Sequence, residues 1–249
     1  MKLLSWALTD VGRKRDHNED GYLAEEKLKL FVVADGMGGH AGGDRASQLA
    51  VQEIRETVAH ADLGNPIPGV REQPACQALR SGARRASSEI YRLAQRDRAL
   101  NGMGTTLTSL LFHEHRVCLA HVGDSRAYLF RDGRIEQLSE DHSWINEQIK
   151  AGFLSEQEAK ESKFRHIITR SVGFERDVEV DVLSMPVLMG DCYLLCSDGL
   201  SNYVEGEELG RLLATHYYRH VPRLLVDLAN ERGGDDNITV VLVYVGNDV

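Results

Sequence analysis

The chain has 249 residues, 42% of them apolar, enough for a sizeable core in one large domain or two small ones. A net charge of −9, with no basic stretch above ordinary alternation of signs, argues against a nucleic-acid-binding surface. No apolar run approaches the roughly 18 residues of a membrane span, and the opening Leu3-Leu4-Ser5-Trp6-Ala7-Leu8 is too short for a signal-peptide core, so a cytoplasmic protein is expected.

In chain order, segments 3–9 and 28–34 read as strands, joined by a polar turn carrying Arg15 and Asn18-Glu19-Asp20. Segment 43–61 reads as a helix, because Leu49, Ala50, Ile54, Val58 and Ala61 recur at helical spacing. A break at Gly64-Asn65-Pro66-Ile67-Pro68-Gly69 precedes a second helix at 74–97, opened by Pro74. Strands follow at 105–113, 115–122, 125–131 and 134–138, the last two joined by the hairpin signal Arg131-Asp132-Gly133-Arg134. Two helices at 141–151 and 155–162 interrupt the series. Strands resume at 178–184, 190–197 and 238–245, with helices at 205–214 and 221–232 between the last two. Strands beside strands with helices in pairs predict an α+β fold of antiparallel sheets with helices packed outside, in a single domain. Cys76, Cys118, Cys192 and Cys196 match neither a zinc knuckle nor a disulfide framework and read as small buried residues in a reducing compartment. Cys192 and Cys196 share a strand face but lie too far apart to bridge.

The chemistry-bearing residues stand at the ends of apolar runs. Phe31-Val32-Val33-Ala34 runs into Asp35, Tyr193-Leu194-Leu195-Cys196-Ser197 runs into Asp198, and Asp235-Asp236-Asn237 precedes Ile238-Thr239-Val240-Val241. A strand that buries its body and ends in a carboxylate delivers that carboxylate to a rigid sheet edge. Several such edges make an oxygen cage suited to Mg²⁺ or Mn²⁺, so a metal-dependent hydrolase is expected.

Six motifs occur in order: Arg15-Asp16-His17-Asn18-Glu19-Asp20, Asp35-Gly36-Met37-Gly38-Gly39-His40, Gly104-Thr105-Thr106, Gly123-Asp124-Ser125-Arg126, Ser197-Asp198-Gly199-Leu200 and Asp236-Asn237-Ile238-Thr239. Together they resemble the metal-dependent serine/threonine protein phosphatases of type 2C in their bacterial form, over Thr9 to Val245. The resemblance implies a central β-sandwich of two antiparallel sheets flanked by helix pairs, in α-β-β-α order, spanning 1–249. It also implies a helical flap at about 141–176, loosely matched by His142, Ser143, Gly152 and Arg170.

The implied site holds two Mg²⁺ or Mn²⁺ ions and a weaker third. Asp35 would bridge the first two, aided by the Gly36 carbonyl, with Asp198 and Asp236 on the first and Glu19 and Asp20 on the second. Glycine at 36 fits a carbonyl that needs unusual backbone freedom. Asp124, otherwise a turn residue, would hold the third ion with Asp198. Asp236 rather than Asp235 is the ligand because it directly precedes Asn237, a residue of the surrounding shell. Arg15 would grip the phosphate and His40 is a candidate general acid; the alternatives are a surface arginine and a helix-opening histidine. The implied reaction is hydrolysis of phosphoserine and phosphothreonine by direct attack of a metal-activated water. The implied partners are phosphoproteins and a cognate Ser/Thr kinase, the enzyme being a monomer. Asp10, Asp141, Asp177, Asp181 and Asp191 read as surface or capping acids, and His113, His115 and His121 as packing or solvent-facing residues. A degenerate binding domain would have lost a ligand acid, and none is missing. A nucleotide phosphoesterase would show an aromatic or basic base pocket, and no aromatic cluster lies near the motifs.

Overall fold

Eleven strands in two antiparallel sheets, with helices against each outer face, organise the computed structural model, which describes residues 1–38, 42–65, 72–164 and 166–247. The strands are β1 (Lys2–Asp10), β2 (Asp20–Glu25), β3 (Leu30–Met37), β4 (Gly104–Thr105), β5 (Leu107–His113), β6 (Arg116–Val122), β7 (Arg126–Arg131), β8 (Arg134–Gln137), β9 (Asp181–Pro186), β10 (Cys192–Cys196) and β11 (Ile238–Gly246). The helices are α1 (Gly42–Ala59), α2 (Pro74–Arg96), α3 (Trp144–Lys150), α4 (Glu156–Glu161), α5 (Asp198–Ser201), α6 (Gly206–Thr215) and α7 (Val221–Glu231). One sheet runs β1-β11-β10-β7-β8 and the other β2-β3-β5-β6-β9, with β4 paired to β3.

Why the central strands read as unbroken apolar runs is now plain: they are covered on both faces. Phe31 and Val33 of β3, Tyr193 and Leu195 of β10, and Val241 and Val243 of β11 meet between the sheets. Their alternates Leu30 and Val32 pack under α1 and α2, whereas Leu194, Val240 and Leu242 pack under α6 and α7. Inside the sandwich Phe31, Phe112 and Tyr193 stack edge to face, with centroids 5.8 and 5.2 Å apart. Helix α1 buries Ala46, Ala50, Ile54 and Val58, and α2 buries Ala75, Leu79, Ala83, Ala86 and Ile90, so small side chains let the pair lie close on the sheet.

Three expectations need correction. Residues 20–25, expected within a turn, form the edge strand β2, whose short alternating Tyr22-Leu23-Ala24 carries too weak a signal to separate from its loop. Strand β9 starts at Asp181 rather than 178. Cys76 and Cys118 are bonded as a disulfide with Cα atoms 5.4 Å apart, because α2 lies on β6 and brings together residues 42 apart in sequence. Cys192 and Cys196 are free and buried, as expected.

A carboxylate-lined candidate active site

The site forms where both sheets present strand ends to one edge. Asp20 opens β2 and is the register partner of Asp35 near the end of β3. Asp198 opens the short α5 just after β10, Asp236 lies just before β11, and Asp124 sits in the turn from β6 to β7. With Arg15, Glu19 and Gly36 they line a cavity of ≈ 920 Å³, except Asp20, which lies behind its wall. Lys14, His17, His166, Ile168, Asn202, Tyr203 and Asp235 also line it.

Each acid is held by its neighbourhood. One Asp20 oxygen, Oδ2, accepts from Ser197 Oγ at 2.8 Å and from Thr239 Oγ1 at 2.6 Å, so a side chain from β2 is oriented by the opposite sheet. Asp35 is fixed through its backbone by the Gly104-Thr105-Thr106 motif. Its N–H donates to Thr106 Oγ1 at 2.8 Å, and its carbonyl accepts from Thr105 Oγ1 and Thr106 N, both at 2.9 Å. Asp198 Oδ2 accepts from Asn202 Nδ2 at 3.1 Å. Arg15 Nη2 donates to Asp236 Oδ2 at 2.7 Å.

Asn237 ties the loop before β2 to the strand after Asp236. Its Oδ1 accepts from Glu19 N at 2.8 Å, while its Nδ2 donates to the Val11 and His17 carbonyls, each at 2.9 Å. Gly36 is required by close approach rather than by backbone freedom: it is absent from the left-handed positions, and a Cβ there would lie 2.1 Å from the Gly43 carbonyl oxygen. Gly199 is similar, since a Cβ would meet the Asn237 carbonyl oxygen at 2.0 Å.

Packing these carboxyls together has an electrostatic cost. Burial and then its Asp neighbours, Asp20 first, raise Asp35 well above the ordinary carboxylate range. Burial pushes Asp20 up to about 7 despite its hydroxyl donors, and burial followed by Asp198 pushes Asp124 up to about 8. Burial and Asp236 also raise Asp198. Asp35 and Asp198 line the cavity and are only partly buried, so their desolvation is smaller than in a sealed interior. Among the described residues, Asp20 Oδ1, Asp124 Oδ1 and Asp198 Oδ1 are buried without a hydrogen-bond partner. Oxygen-only acids with unsatisfied lone pairs and mutual repulsion fit hard divalent cations. As placed, no group of three or more acid, histidine or cysteine side chains among the described residues closes around one ion-sized point. The carboxylates form a cavity wall, with Asp236 turned to Arg15 and one oxygen of Asp20 to hydroxyls.

The structure thus brings Arg15, Glu19, Asp35, Gly36, Asp124, Asp198 and Asp236 onto one cavity, with Asp20 and Asn237 directly behind it. His40 lies outside the described residues. Several other assignments change. Asp191, expected as a surface or capping acid, is buried; it accepts from Leu188 N in its turn and receives both Arg131 Nε and Nη2 at 2.7 Å. Asp141 is gripped in the same two-pronged way by Arg126. Asp181 is exposed, as expected, and in addition pairs with His142 and Arg170. His121 does pack: it is buried, and burial lowers it to about 4. Sequence reasoning missed Lys14, Tyr203 and His166 as cavity residues. Lys14 and Tyr203 both engage Asp235, an acid whose neighbour was favoured.

The fold and site together define a two-sheet α+β sandwich that gathers acids from both sheets around one cavity at its rim. The family model described as Protein phosphatase 2C matches residues 12–234. The serine/threonine phosphatase stp of Listeria innocua is 37% identical over 240 residues, covering 94% of this chain and 93% of its own. The crystal structure of the Mycobacterium tuberculosis serine/threonine phosphatase PstP/Ppp superposes with a TM-score of 0.89 at 34% identity, over 99% of this chain and 100% of that one. A PstP catalytic domain in complex with 2 manganese ions superposes at 0.84 with 36% identity, over 98% and 99% of the two chains. The chain belongs to the protein phosphatase 2C family of phosphoprotein phosphatases.

Proposed function

We propose that this chain removes phosphate from phosphoserine and phosphothreonine proteins with the help of Mg²⁺ or Mn²⁺, opposing a Ser/Thr kinase in the bacterial cytoplasm. It would act as a monomeric catalytic domain spanning 1–249, with 141–176 as a flap beside the site. No helix of the described residues is long and apolar enough to cross a membrane. The observation that carries the reading is the cluster of five aspartates from both sheets, with three buried oxygens lacking partners. The two manganese ions of the PstP neighbour support it.

Asp35, the Gly36 carbonyl, Asp198 and Asp236 would hold one ion, Asp35 with Glu19 and Asp20 the second, and Asp124 with Asp198 a weaker third. When bound, such ions lower the pKa of water and neutralise charge on a transferring phosphoryl group. The chain's own residues do the rest. Arg15, at the cavity mouth, presents a planar fork that can take two phosphate oxygens and fix the phosphoryl group for in-line attack. Ser197 and Thr239 hold Asp20 to one orientation, and Thr105 and Thr106 hold the Asp35 backbone. His40 is the proposed donor of a proton to the departing serine or threonine oxygen.

The test compares rates on a phosphothreonine peptide and on nucleoside phosphates, both in Mn²⁺. Preference for the peptide is expected. Preference for nucleotides would assign the site to small-molecule phosphoesters, and inactivity on both would make it a binding domain.

A further inference from the structure

The turn carrying Asp124 is held by a residue far from it in sequence. Gly123 N donates to His142 Nδ1 at 3.0 Å, and His142 N donates back to the Gly123 carbonyl at 2.7 Å. Gly123 has φ +107, and a Cβ there would lie 2.6 Å from Thr106 Cγ2, so the turn has little room to settle elsewhere. Because Nδ1 accepts, the neutral ring carries its proton on Nε2, which donates to Asp181 Oδ2 at 3.1 Å. Arg170 Nη1 donates to the other oxygen of Asp181 at 2.7 Å. The His142 carbonyl accepts from Thr169 N at 2.9 Å, and Trp144 N donates to the Ile167 carbonyl at 2.9 Å. The segment so attached contains His166 and Ile168, which line the catalytic cavity. His142 is buried and stacks on His121 with centroids 4.9 Å apart.

We propose that His142 is a positioning residue that couples the cavity-lining segment 166–170 to the turn presenting Asp124. One face of the coupling is a ring nitrogen on the Gly123 amide, and the other is the Asp181–Arg170 pair. Rearrangement of the segment would therefore reach the Asp124 carboxylate without touching it. The inference rests on the reading of Asp124 as a ligand of a weaker ion. A histidine serving only as core filling would affect stability alone.

The test is a double-mutant cycle on phosphothreonine-peptide hydrolysis over graded Mn²⁺, with the full chain and a thermal melt of each variant. His142→Leu is expected to lower kcat/KM and raise the half-saturating Mn²⁺ by roughly ten- to a hundredfold, as losses of residues behind metal ligands do. In an Asp124→Ala background the same substitution is expected to change neither. His142→Asn, whose Oδ1 can take the Nδ1 place, is expected to restore the Mn²⁺ dependence. Equal losses from His142→Leu in both backgrounds overturn the coupling while leaving Asp124 its role. An Asp124→Ala enzyme with undiminished turnover overturns the Asp124 reading and the coupling with it. Should His142→Leu not fold, Asp181→Ala, which removes the carboxylate shared by His142 Nε2 and Arg170 while leaving the Gly123 contact in place, carries the same cycle. Non-additivity with Asp124→Ala then supports the coupling, and additivity overturns it.

Discussion

Arg15 shows how a single side chain can be legible in chemistry and illegible in contact. Its match to the family's arginine, four residues before Glu19, implied a phosphate ligand, but nothing local announced that it would reach Asp236, 221 residues away. Arg15→Ala is expected to lower kcat/KM on a phosphopeptide by roughly ten- to a hundredfold, the value of a charge-assisted phosphate contact. An unchanged kcat/KM would return Arg15 to the surface. Thr239 has no role that its motif alone suggests, and the structure gives it one as a donor to Asp20. Thr239→Val keeps the shape and removes the donor, so the Mn²⁺ needed for half-maximal rate is expected to rise by about tenfold. A superimposable Mn²⁺ titration would show that Asp20 needs no such guidance.

At the scale of elements, acids at the ends of long apolar runs were readable because a strand buried on both faces leaves an unbroken hydrophobic signature. β3, β10 and β11 were found this way, and Asp35, Asp198 and Asp236 with them. β2 was not, since an edge strand of six residues with an exposed Tyr22 resembles its flanking turn. The approach of α5 to the end of β11 was equally hidden. It makes Gly199→Ala a sharp test, because the added Cβ would sit 2.0 Å from backbone. Overpacking of this kind costs about 1–3 kcal/mol, so a clear fall in melting temperature is expected. An unaltered melt would mean the backbone yields freely. The disulfide was unreadable because its partners belong to a helix and a strand that only tertiary packing joins. A disulfide also sits uneasily with a reducing compartment. Protein denatured without reductant is expected to present two free thiols, Cys192 and Cys196; four would show the pair reduced.

Across the whole molecule, two sheets face each other over a core of Phe31, Phe112, Tyr193 and Val241, and that rigid body holds like charges together at its rim. The raised carboxyls bind protons more tightly folded than unfolded, so their contribution to stability is fully present below about pH 4. It is lost as pH rises through the folded values of about 7 for Asp20 and about 8 for Asp124. In EDTA the melting temperature is therefore expected to fall between about pH 5 and pH 8. Saturating Mg²⁺ should flatten the fall, because a cation takes over the role of the protons. A Mg²⁺-independent profile would contradict this electrostatic picture. The central claim is that these carboxylates act by holding divalent cations against a phosphoprotein. Its most direct test is phosphothreonine-peptide hydrolysis by EDTA-stripped protein before and after added Mn²⁺. No turnover before and full turnover after is the predicted result; undiminished hydrolysis by the stripped protein would contradict it.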